Sequence, residues 1–88
     1  MTKKLIETVE ELREVCLAKD GGYVDFFIAL AGGAFRSSKQ ISYNSKNNTY
    51  SVINEIDNSY QGDLTEDELR SETNIIFAIE QKALFQYL

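Results

Sequence analysis

The chain has 88 residues, of which 43% are hydrophobic and 26% charged, and its fourteen acids outweigh nine bases for a net charge of −5. That length holds one domain and that composition belongs to an ordinary globular core, so disordered and fibrous classes drop out. With no histidine and a single cysteine, Cys16, an intrachain disulfide, a Cys/His zinc site and histidine-based acid–base catalysis drop out as well.

The longest apolar run falls well short of the roughly 20 residues that cross a bilayer, and no signal-peptide pattern opens the sequence, so no membrane association and a cytoplasmic location are expected. The charge is unevenly placed. Residues 1–52 carry seven bases against six acids, whereas residues 53–88 carry eight acids against only Arg70 and Lys82. Such a C-terminal surface repels phosphate backbones and attracts basic partners or cations.

Leu5, Val9, Leu12 and Cys16 recur at intervals of four, three and four, the apolar stripe of an N-terminal helix. Thr8 followed by Glu11 is a capping box that places the helix start at Thr8 and leaves Lys4 to Glu7 extended, and Gly21-Gly22 suits its end. Tyr23 to Ala31 is the central apolar run. Val24, Phe26, Ile28 and Leu30 share one face of a strand, while Tyr23, Asp25, Phe27 and Ala29 share the other. The glycine pair Gly32-Gly33 ends it. Two further strands are expected at about 38–44 and 49–56, joined by the turn Ser45-Lys46-Asn47-Asn48, which makes a three-stranded antiparallel meander.

Thr65-Glu66-Asp67-Glu68 is a second capping box, and Ser71 to Asn74 offers further caps, so one or two helices are expected over about 65–82. The apolar tail, Ala83 to Leu88, either extends the last helix or adds an edge strand. The expected fold is therefore α+β: helix, three-stranded meander, C-terminal helices, tail. Phe27 on the second strand face requires cover from the segment Ile75 to Leu88 or from a second copy, so a homo-oligomer is expected.

Three stretches bear on function. The first is the acidic C-terminal surface, with Glu55, Asp57, Tyr60, Asp63, Glu66, Asp67, Glu68 and Glu72 as candidate contacts to a basic protein partner. The second is Asp57 to Glu68, whose spacing resembles the twelve-residue calcium loop of the EF-hand. Asp57, Ser59, Gln61, the Asp63 carbonyl and a bidentate Glu68 stand at ligand positions, and Gly62 stands at the sharp turn. The resemblance implies calcium as the cofactor of this alternative. The competing reading is a polar connection ending in the cap at Thr65.

The third is Gly32 to Lys39, where Arg36, Ser37, Ser38 and Lys39 gather two cations and two hydroxyls that suit an anion, against the plainer reading of a strand connection. Cys16 lies on the apolar stripe, where a buried thiol is expected and no histidine can activate it. The order helix, meander, helix is also that of double-stranded RNA-binding domains. Their phosphate-binding lysines would have to stand where Thr65-Glu66-Asp67-Glu68 stands, so direct nucleic-acid binding is not expected. The reading as a whole is a non-enzymatic, self-associating interaction protein.

Overall fold

The computed structural model describes residues 2–19, 22–30 and 35–88. Gly21, Gly32, Gly33 and Ala34, which figured as helix-end and strand-connection residues, lie outside the described residues, and so does Ala31 at the end of the central run. In chain order the elements are β1 (Lys3–Leu5), α1 (Val9–Leu17), β2 (Val24–Leu30), β3 (Phe35–Asn44), β4 (Thr49–Asn54), β5 (Ser59–Leu64), α2 (Glu66–Glu72), α3 (Ile75–Glu80) and β6 (Leu84–Tyr87). The strands form one six-stranded sheet in the order β1-β6-β2-β3-β4-β5, and every pairing is antiparallel.

This overturns the expected architecture of an N-terminal helix, a three-stranded meander, C-terminal helices and a tail that extends the last helix or adds an edge strand. The sheet dominates, and three short helices cover it. Three segments account for the difference. Lys3–Leu5, which overlaps the stretch expected to be extended ahead of the helix, is a strand of the sheet because it pairs with Phe85–Tyr87, eighty or more residues away. Ser59–Leu64, polar and glycine-containing, is a strand because the turn at residues 55–58 folds it back on β4 as an edge, where one face and one side stay in water. The tail is neither helix nor edge. It enters the sheet between β1 and β2, pairing Phe85 with Phe27 and Leu84 with Ile28.

Alternation along the strands decides which face is dry. Val24, Phe26 and Ile28 of β2, Ile41 and Tyr43 of β3, Tyr50 and Val52 of β4, and Leu84 of β6 are buried on one face. Leu12 and Cys16 of α1, Leu69 of α2, and Ile75, Ile76 and Ile79 of α3 complete that core. Each fully buried side chain of this size contributes about 1.5–3 kcal/mol relative to exposure. Thr8 caps α1 by accepting a hydrogen bond from the Glu11 amide at 3.1 Å. At the start of α2 the box is complete: the Thr65 hydroxyl accepts from the Glu68 amide at 3.2 Å, and the Thr65 amide donates to the Glu68 carboxylate at 2.9 Å. The hairpin turns use asparagine where φ is positive, Asn48 at 55° and Asn58 at 58°.

Candidate functional site

The opposite face of the sheet is covered by no element among the described residues. Across the β1, β6 and β2 strands it carries three rings: Phe27 lies 5.8 Å from Phe85 and 5.0 Å from Tyr87, and Phe85 lies 5.4 Å from Tyr87, the last two contacts edge-on. The Lys3 ammonium sits 4.2 Å above the Phe85 ring. This local cover leaves Phe85 only 6% exposed although it points away from the core, while Tyr87 is 46% exposed. Arg36 stands opposite Ala29 on the neighbouring strand. Lys3, Phe27, Ala29, Arg36, Phe85 and Tyr87 thus line a trough of about 300 Å³.

Further along this face Gln40 donates to the Asp25 carboxylate at 3.2 Å, and Glu55 lies beside the same carboxylate. Partial burial and then Asp25 push the Glu55 carboxyl above its ordinary value. At the far side Tyr60 lies flat along β5, its hydroxyl 3.5 Å from the Ser51 hydroxyl and bonded to Tyr23. Gly62 makes that position possible, because a methyl group there would land on the Tyr60 hydroxyl.

The eight acidic-surface candidates divide into two groups. Asp57, Tyr60 and Asp63 belong to the β4–β5 turn and edge strand, and Glu66, Asp67, Glu68 and Glu72 to α2, which packs beside β4 and β5. Glu55 departs from the group, since it sits at the end of β4 beside Asp25 on the open face. Several of the acids are engaged. Glu66 pairs with Arg13 at 3.3 Å, and Glu68 closes its own cap. Arg13 also donates to the Tyr50 hydroxyl at 3.3 Å, the bond that chiefly holds its guanidinium above its ordinary value. Asp57 accepts from the Ser59 amide at 2.9 Å, and the Ser59 side chain and amide hold its carboxyl below the usual range. Asp63 takes a positive φ of 55° next to a register shift in the β4–β5 ladder.

The twelve residues from Asp57 to Glu68 are a turn, a strand and a helix start rather than a loop. Ser59 and Gln61 lie on β5, Glu68 on α2, and the Glu68 carboxylate is held by the Thr65 amide. An extended strand spaces alternate side chains about 7 Å apart along a line, whereas a calcium loop wraps its oxygens around one point. Among the described residues no three acids, cysteines or histidines stand together as metal ligands.

The four candidate anion ligands are likewise separated by strand geometry. Arg36 and Ser38 point to the open face, while Ser37 and Lys39 are buried on the core side, 6% and 7% exposed. Lys39 is the residue that sequence reasoning placed least well. It borders a cavity of about 290 Å³ with Asn54, Ser59, Gln61 and Glu72, and its ammonium makes no ion pair among the described residues. Burial lowers its pKa, and Asp57 only partly opposes that. The signal was the alternation itself: continuing the inward register from Ile41 back through the strand assigns Lys39 inward.

Cys16 is free and fully buried, its thiol 3.7 Å from the Ile41 carbonyl, and burial pushes its pKa to about 12. A thiol so poorly ionised is a packing group. No helix among the described residues is long and apolar enough to cross a membrane. Comparison with protein-family models, curated proteins and solved structures finds no match to this chain.

Proposed function

We propose that this is a non-enzymatic cytoplasmic interaction protein that binds a basic protein partner through the acidic edge formed by β5 and α2. The observation that carries the reading is the edge itself. β5 ends the sheet and carries Tyr60 and Asp63, both exposed, with Asp57 in the turn before it, and α2 adds Asp67 and Glu72, its Glu66 being shared with Arg13. Among the described residues no strand pairs with the outer side of β5, and such an edge flanked by acids suits an extended basic segment, which gains main-chain hydrogen bonds from the strand and charge complementarity from the carboxylates. The free buried thiol of Cys16 fits a reducing compartment.

Affinity capture with the full chain tests this in two salt conditions. Basic proteins retained at low ionic strength, released at high ionic strength and lost with the double variant Asp63→Lys/Asp67→Lys are the expected result. Retention of neutral or acidic proteins alone, or binding indifferent to salt and to the charge reversal, overturns the proposal.

A further inference from the structure

We propose that the trough over Ala29 on the open sheet face binds a planar aromatic anion of the mononucleotide class. The floor is a small side chain, which leaves room for a flat ring. Beside it stand Phe27 and Tyr87, edge-on to each other, and the 46% exposure of Tyr87 leaves aromatic surface for a ligand ring to pack against. Two cations reach the same trough. Lys3 rests over Phe85 at 4.2 Å, and Arg36 stands across the β2–β3 ladder from Ala29. Neither makes an ion pair among the described residues, so each has charge to offer a phosphate or carboxylate, and the arginine fork suits either group in a bidentate manner.

The volume of about 300 Å³ is at the small end of ligand cavities, which favours a single nucleotide or an aromatic acid of like size. A longer strand is disfavoured. Beyond Phe27 the same face carries Asp25, with Glu55 close by, and a second phosphate would meet both. A second copy docked face to face is a poorer occupant than an anion, because among the described residues the trough presents two cations without ion pairs and no acid, so two such troughs would repel each other. None of these features uses the β5–α2 edge, so the site stands or falls separately from partner binding there.

The test is a nuclear magnetic resonance titration of the full chain, following the Ala29 methyl and the Phe27 and Tyr87 ring signals. The probes are adenosine monophosphate, adenosine, inorganic phosphate and an oligodeoxyadenylate of about eight nucleotides. Saturable shifts with the monophosphate are expected, with adenosine and phosphate each binding at least about tenfold more weakly, since each supplies only ring or charge. Arg36→Gln, a substitution of an exposed side chain, should weaken the monophosphate about tenfold, and Ala29→Leu should abolish its binding by filling the floor.

Absence of shifts at about 10 mM monophosphate, roughly tenfold above a dissociation constant of about 1 mM, overturns the proposal, as do shifts unchanged by Arg36→Gln. Binding of the oligonucleotide more than about tenfold tighter than the monophosphate identifies a polymer track and also overturns it. Phe27 and Tyr87 ring signals that move with protein concentration instead of ligand show a second copy on the face, with the same consequence.

Discussion

At the scale of single residues, two charges sit where the fold disfavours them, and both make predictions of defined sign. Glu55 has its pKa raised by partial burial and by Asp25, so its folded value lies above its unfolded one. A carboxyl raised in this way favours folding in its protonated form, and that advantage is lost as pH rises through the folded pKa. Glu55→Gln should therefore raise the melting temperature at pH 7, with the gain vanishing near pH 4. Because the pair is largely in solvent the gain is small, about 0.5 kcal/mol or some 2–4 °C, readable in thermal melts.

Lys39 is the converse case: its pKa is lowered, chiefly by burial. The unfolded chain then holds more protons than the folded one between the depressed value and the ordinary 10.5, so stability climbs with pH in that window. Lys39→Met, of similar length and apolar, should stabilise the fold at pH 7 by about 1 kcal/mol, and denaturant titration should show the difference shrinking towards pH 10.

Among the elements, α2 is the one most dependent on its ends. Seven residues cannot hold a helix by themselves, so the reciprocal bonds between Thr65 and Glu68 and the burial of Leu69 must do it. Thr65→Ala should cost about 1 kcal/mol, and amide exchange should quicken first in residues 66–68, where the orphaned donors lie. The β5 strand depends on Gly62 in a different way. Gly62→Ala should push the Tyr60 ring off Ser51 and Tyr23, a shift visible in the Tyr60 ring signals. The stability loss should stay below about 1 kcal/mol, because what must move is the far end of a flexible side chain.

For the whole molecule, the aromatic cluster bears on assembly. Phe27 implied cover from the C-terminal segment or from a second chain, and the structure supplies the cover within the plane of the sheet: β6 brings Phe85 and Tyr87 against it, and Lys3 tops the group. What remains exposed is edged with charge. We therefore expect light scattering coupled to size exclusion to give the 10.0 kDa monomer. A mass near twice that, abolished by Arg36→Glu, would instead assign the open face to a second copy. Small size adds a consequence. A domain of this length holds only several kcal/mol in reserve, so Leu12→Ala or Leu69→Ala, at fully buried positions and costing about 2–5 kcal/mol, should leave the chain largely unfolded at physiological temperature.

What the residues alone determine here is local. Thr8 with Glu11 and Thr65 with Glu68 place helix starts, Asn48 suits a turn that requires positive φ, and the alternation Val24, Phe26, Ile28 marks a core face, because caps, turns and side-chain periods arise from neighbours within a few positions. Only the tertiary structure decided the sheet. Pairing Lys3–Leu5 with Phe85–Tyr87, and seating that tail beside β2, joins segments whose hydrogen bonds leave no mark in either stretch taken singly. The same long-range pairing brings Lys3, Phe27, Phe85 and Tyr87 together with Arg36, and no spacing along the chain encodes that neighbourhood. The candidate anion residues fail as a cluster for the complementary reason. Side chains adjacent in sequence alternate across a strand, so Arg36 reaches the open face while Lys39 is buried in the core.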